Sequence, residues 1–284
     1  MPSLSEHPSR GIVKLLNIGE SGAGKSGALA SLALAGYRLH ILDYDNGVDI
    51  LANILRNDPK ALANVRYETL RDEVVFQKGV PRIKPPPRAF ARAGEVLEEW
   101  NAGSFNSHDV LCLDTLATFS QTSFNHWLYI NQRLNQRPQL TDFGAMADSV
   151  LLFIDTITSL ECNVVVNTHI RYFEGDEDTQ TTARGLPNAK GQQIPNNVGK
   201  FFNTTILTRT VGSGPGIRRV ISTKPQGVVE VKTSNPSGVK DQYPLETGLA
   251  QLFRDILGTS PGESPPPQHG ERFPSPPVEA REEA

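Results

Sequence analysis

No apolar run in this chain of 284 residues approaches the roughly 18–20 residues that a helical membrane span requires. Cysteine occurs only at Cys112 and Cys162, each inside an apolar strand-like run. That is the usual setting of reduced core packing and a poor basis for a disulfide framework or a thiolate metal site. An excess of charge is missing as well. The net charge is −3, and the final 27 residues account for all of it, with five Glu against two Arg. A nucleic-acid partner would have to be held by local cationic clusters, because the overall field neither attracts nor repels phosphate strongly. Residues 1–10 are polar, read as a flexible N-terminus, and lack the apolar segment of an export signal, so a cytoplasmic location without membrane attachment is expected.

From Thr259 onward the composition turns to Pro, Glu and Ser, which cannot bury enough apolar surface to offset chain ordering. Residues 258–284 are therefore expected to form a disordered tail, leaving 11–257 as one folded domain. Within it, strand-like runs at 12–18, 38–44, 109–114 and 163–168 alternate with helical patterns at 26–35, 48–56, 90–100 and 143–160. The alternation predicts an α/β fold, a mostly parallel sheet flanked by helices. Past Asn203 three strand-like runs, 204–211, 218–223 and 228–233, follow one another across Gly-rich and Pro-rich turns and predict a C-terminal antiparallel extension. The stretch 245–257 places Leu249, Leu252, Phe253 and Ile256 on one helical face, which should pack back onto the sheet.

The strongest chemical signal is Gly19-Glu20-Ser21-Gly22-Ala23-Gly24-Lys25-Ser26, between the first strand and the first helix. Gly19, Gly22 and Gly24 let the backbone wrap around phosphates so that successive N–H groups and the helix N-terminus point at an anion. Lys25 would reach the β- and γ-phosphate oxygens, and Ser26 would coordinate Mg²⁺. The pattern is that of a P-loop and predicts an ATP-binding protein. Asp114 ends the run Val110-Leu111-Cys112-Leu113, where a second ligand to the Mg²⁺ shell belongs, at the carboxyl end of a parallel strand.

In these motifs and their order the chain resembles a RecA-like P-loop NTPase core, and in its small size the compact phage-encoded ATPases of the Sak single-strand-annealing group. The resemblance implies an ATPase that uses ATP and Mg²⁺, forms a homo-oligomer, and acts in recombination on single-stranded DNA in the host cytoplasm, with a single-strand-binding or replication protein as a further partner. It also implies roles for individual residues. Asp45, in Asp43-Tyr44-Asp45-Asn46-Gly47, stands where the family keeps the carboxylate that orients the attacking water, with Asp43 at a preceding acidic position; turn chemistry is the alternative for both. His169, after Val164-Val165-Val166-Asn167-Thr168, occupies the position that senses the γ-phosphate, or else is a surface histidine at a strand end. The loops expected to meet DNA correspond to 131–142, with Arg133 and Arg137, and to the stretch after Arg171, where Glu174, Asp176, Glu177 and Asp178 precede Arg184 and Lys190 and a mobile loop is expected at 172–193. Lys224 and Lys232 lie where RecA-like assemblies carry cations that reach a neighbouring subunit's nucleotide, unless they are ordinary surface lysines. A different class of function, a nucleotide-switched interaction protein serving replication or packaging without touching DNA, fits the same P-loop.

Deleting residues 259–284 should leave the melting temperature and ATP affinity nearly unchanged, because a segment of this composition contributes little packing. A large fall in melting temperature on truncation would show that the tail docks on the domain.

Overall fold

The side chains of β1 (Lys14–Gly19) alternate between two apolar layers, Leu15 joining one cluster and Leu16 and Ile18 the other. A strand buried on both faces belongs in the middle of a helix-covered sheet. The computed structural model, which describes residues 11–174 and 182–259, has that arrangement. After β1 come α1 (Lys25–Ala28) and α2 (Ala30–Leu34), then β2 (Arg38–Asp43), α3 (Asp49–Leu55), α4 (Pro59–Ala63) and β3 (Val65–Thr69). A hairpin of β4 (Val74–Gln77) and β5 (Val80–Ile83) precedes α5 (Ala89–Glu99) and β6 (Asp109–Asp114). Then follow α6 (Leu116–Ile130), α7 (Leu140–Ser159), β7 (Asn163–Thr168), and a second hairpin, β8 (Ile170–Phe173) with β9 (Arg184–Pro187). The domain closes with α8 (Gln193–Asn197), β10 (Thr204–Val211), β11 (Arg218–Ser222), β12 (Gln242–Pro244) and α9 (Leu245–Leu257).

The main sheet runs in the order β12-β11-β10-β1-β7-β6-β2-β3. From β10 to β3 every pairing is parallel, while β11 and β12 add on antiparallel. Helices α5 to α8 cover one face and α1 to α4 with α9 the other. Leu249, Leu252 and Phe253 of α9 are buried against the second face, the ring of Phe253 edge-on to Tyr37 at 5.7 Å. Cys112 and Cys162 are free thiols, one in each layer, and burial raises the pKa of both.

The fold matches the expected parallel core with an antiparallel extension, but three local expectations need correction. Residues 228–233 form only isolated bridges, Val229 to Gly185 and Gln226, and Lys232 to Thr205; the strand beside β11 is β12. Gly227, at φ 56°, sits in a tight turn closed by reciprocal bonds between Gln226 and Val229, and the edge of β11 is taken by β12. The stretch 172–193 holds most of the β8–β9 hairpin rather than one open loop; residues 175–181, with Asp176, Glu177 and Asp178, lie outside the described residues, as do 1–10 and 260–284. Helix α7 begins at Leu140, inside the expected 131–142 loop, because Gln139 and Asp142 form a reciprocal capping box.

Helices α6 and α7 run antiparallel, joined by Phe119 against Phe153 (4.7 Å), Phe124 against Phe143 (4.6 Å) and a bond from Trp127 Nε1 to Ser149 Oγ (2.8 Å). Because α6 starts where β6 ends and α7 is about 30 Å long against about 20 Å for a six-residue strand, the pair overhangs the carboxyl edge of the sheet.

Candidate nucleotide site

Parallel strands deliver polar side chains to their carboxyl ends, and here the register aligns four of them. Asp43 pairs with Asp114, Asp114 with Asn167 and Asn167 with Asn17, a polar row across β2, β6, β7 and β1. Asn17 Nδ2 donates to Asn167 Oδ1 at 2.9 Å, and Thr208 Oγ1 of β10 donates to Asn17 Oδ1 at 2.6 Å. All are buried. Asn17, Asn167 and Thr208 escaped the sequence reading; the available signal was an Asn inside each of two otherwise apolar strand runs.

The P-loop arches over the end of β1. Gly24 has φ 99°, a conformation that side-chain-bearing residues rarely adopt, and a Cβ there would come within 2.4 Å of Leu245 Cδ2 and displace that side chain of α9. Lys25 is buried, its Nζ donating to the carbonyls of Gly19 and Glu20, both at 2.9 Å, and standing 3.3 Å from His169 Nδ1. Burial lowers its pKa, opposed by the negative fields of Asp114, Asp45 and Glu20. An ammonium can only donate, so Nδ1 of His169 is the acceptor and the ring proton lies on Nε2. That nitrogen is 3.4 Å from Asp45 Oδ2. Lys25, His169 and Asp45 thus form one polar chain along the site.

Asp45 also accepts from Thr115 Oγ1 at 3.1 Å and from Thr118 Oγ1. The His169 bond, joined by those two hydroxyls, outweighs burial and holds the Asp45 carboxyl below its ordinary pKa. Asp43 is turned inward, accepting from the Gly47 N–H at 3.0 Å and from Thr69 Oγ1 at 3.3 Å. Its side chain closes the turn after β2, so the structural alternative describes Asp43 while Asp45 faces the site.

Asp114 is buried, and burial raises its pKa, a shift opposed by polar contacts from Ser26 and Asn167 and reinforced by the charges of Asp45 and Asp43. Its Oδ1 has no hydrogen-bond partner. A Cβ on Gly47 would lie 3.2 Å from Ser26 Oγ and 3.7 Å from Asp114 Oδ2, so the glycine keeps clear the space that these oxygens face. A buried carboxylate whose Oδ2 shares the Gly47 clearing with the Ser26 hydroxyl, and whose Oδ1 has no partner, is a donor set suited to a hard divalent cation such as Mg²⁺.

The outlying residues separate. Arg137 and Arg184 are exposed. Arg133 is engaged by buried Asp142, Nε to Oδ2 at 2.9 Å, and Lys190 lays its ammonium 4.9 Å from the centre of the Phe124 ring. Lys224 pairs with exposed Asp241, at 3.6 Å, whereas Lys232 Nζ donates to the Gly199 carbonyl at 2.8 Å. The cation of the extension that reaches the P-loop of its own chain is Arg219, absent from the sequence reading, whose Nε donates to the Gly22 carbonyl at 3.1 Å. Antiparallel pairing of β11 carries it there, since Arg219 lies opposite Thr210 near the carboxyl edge.

A family model described as AAA domain matches residues 12–234. Among solved structures, the KaiC-like protein PH0186 from the hyperthermophilic archaeon Pyrococcus horikoshii OT3 is similar at 12% identity and a TM-score of 0.43, over 83% of this chain and 85% of that one. None of the curated proteins matches the chain.

Asp114→Asn should leave nucleotide affinity in the presence of a chelator nearly unchanged and lower Mg²⁺-dependent ATP turnover by about a hundredfold, because the neutral amide keeps the shape and loses the charge. Equal loss of binding and turnover would assign Asp114 a structural role.

Proposed function

This chain belongs to the AAA-domain family, a P-loop ATPase, and we propose that it is a DNA-recombination ATPase that assembles as a homo-oligomer on single-stranded DNA and promotes annealing or strand exchange. The observation that carries the reading is the position of His169. It touches both the phosphate-binding Lys25 and Asp45, and the next residue, Ile170, opens the β8–β9 hairpin. The backbone of His169 is tied to the far end of the same hairpin, its carbonyl accepting from the Asn188 N–H at 2.7 Å, which gives a change at the ring a route to the hairpin. On the same reading the chain is phage-encoded, works in the host cytoplasm and meets a single-strand-binding or replication protein.

The residues then act as follows. The P-loop N–H groups and Lys25 hold the triphosphate, and the γ-phosphate draws Lys25 away from the Gly19 and Glu20 carbonyls. Ser26 and Asp114 would hold Mg²⁺, which supplies charge neutralisation on the phosphates. The Nε2–H of His169 turns from Asp45 to a γ-phosphate oxygen. Asp45, released from the bond that depresses its pKa most, becomes a better acceptor for the proton of the attacking water. Thr115 and Thr118 keep its carboxylate oriented.

Single-stranded DNA should stimulate turnover, and ATP and DNA should raise each other's affinity by one common factor, as binding reciprocity requires. His169→Ala should keep ATP binding and lose most of that coupling. Turnover and ATP affinity that are indifferent to saturating single-stranded DNA would sink the recombinase reading and favour a nucleotide-switched partner of other proteins.

A further inference from the structure

The sequence offered no role for residues 71–88, yet they build an exposed apolar projection beside the site. The β4–β5 hairpin pairs Val74 with Ile83 and Phe76 with Pro81, which places those four side chains on one face. Phe76 is 75% exposed and Val74 52%. An aromatic ring left in water on a two-stranded ribbon does not stabilise the fold. Its turn, Lys78 and Gly79, has φ 51° and 78°, so the Lys78 ammonium is carried at the outermost point of the ribbon.

The hairpin is docked against the outer end of the α6–α7 pair. The Ile83 N–H donates to Asn135 Oδ1 at 3.0 Å, Asn135 Nδ2 donates to the Ile83 carbonyl at 2.9 Å, and Arg82 Nη1 donates to the Asn135 carbonyl at 3.2 Å. Charge on the joined surface departs sharply from that of the chain. Residues 71–88 carry five Lys or Arg against two Asp or Glu, and residues 129–140 carry Arg133 and Arg137 with no acid, in a protein whose net charge is −3. Among the described residues, Lys84 is paired with Glu73 and Arg133 with Asp142, Arg71 and Arg82 bond to backbone carbonyls, and Lys78, Arg88 and Arg137 remain as exposed cations in no ion pair.

We infer that the β4–β5 hairpin and the α6–α7 loop form one binding surface for single-stranded DNA, with Phe76 as a stacking platform for a base and Lys78 and Arg137 as phosphate contacts. An exposed aromatic among unpaired cations suits a strand whose bases are free to stack, and the cations disfavour an apolar protein partner. The surface is tied to the catalytic loop: Arg71, at the foot of the hairpin, donates from Nη2 to the Asp45 carbonyl at 3.1 Å. The inference rests on the recombinase reading, since it supplies the DNA that reading requires.

The test measures anisotropy of a labelled oligothymidylate with the full chain and ATP, across a salt series. Phe76→Ala should weaken binding about five- to a hundredfold, and Phe76→Trp should restore it, as expected for removal and return of one base–aromatic stack. Lys78→Gln with Arg137→Gln should reduce the slope of log affinity against log salt by about 1.4, roughly 0.7 for each phosphate that is no longer neutralised. If the unaltered chain binds no oligothymidylate, the recombinase reading falls and this surface with it. If the chain binds but none of these variants changes affinity or salt slope, this surface alone is wrong. Loss of self-association in Phe76→Ala with unchanged DNA affinity per subunit would assign the hairpin to a second copy of the chain and also overturn the inference.

Discussion

A buried ammonium in no direct ion pair among the described residues is the constraint around which this domain is organised. Lys25 makes its short contacts with two backbone carbonyls and a neutral imidazole, and its burial lowers its pKa. Such a group gains most from an anion brought into the same low-dielectric space, because screening there is weak. On the opposite side of the site Asp114 is the mirror case, a buried carboxylate with an orphaned oxygen that raises the cost of its charge. Lys25 has acceptors for its protons but no directly paired charge, and Asp114 has an oxygen without a partner; a triphosphate with its cation is ligand chemistry that would compensate both at once.

The rest of the structure serves to hold these two groups in place. Parallel register puts Asp43, Asp114, Asn167 and Asn17 in line, and the amide bridge from Asn17 to Asn167 ties β1 to β7 across that line. A buried polar row resists sliding, since a one-residue slip would strand each amide without a partner. The antiparallel extension acts on the P-loop from the other side: Leu245 approaches Gly24, and Arg219 holds the Gly22 carbonyl. Both hairpins follow the carboxyl ends of parallel strands, β4–β5 after β3 and β8–β9 after β7, the same edge of the sheet that carries the candidate nucleotide site.

What was legible in the sequence follows from how local each feature is. The P-loop could be read because its function is written by contiguous backbone, and the alternation of strands and helices because each period is local. Asn17, Asn167 and Thr208 could not, because their meaning exists only where three strands meet. Helix α6 was missed since its buried face carries Ser120, Thr122, Ser123 and Asn125 where a helical pattern would show apolar residues. The β4–β5 hairpin was hidden by a lysine in a left-handed turn position and a proline in its second strand, both of which argue against a hairpin by propensity. Asp43 and Asp45 differ by two residues and carry the same chemistry; their partners, the Gly47 N–H and Thr69 on one and the His169 ring with Thr115 and Thr118 on the other, separate a turn-closing role from a site-facing one.

The central claim is that His169 exchanges its partners when the γ-phosphate arrives, and the ¹⁵N resonances of its ring report this directly. In the free protein they should show an unprotonated Nδ1 and a protonated Nε2, the tautomer required by a lysine donor on one side and a carboxylate on the other. ADP should leave that pattern nearly unmoved, whereas a non-hydrolysable ATP analogue with Mg²⁺ should shift both nitrogens as Lys25 and Asp45 give way to the phosphate. Ring resonances identical in the free, ADP-bound and ATP-analogue-bound protein would contradict the account.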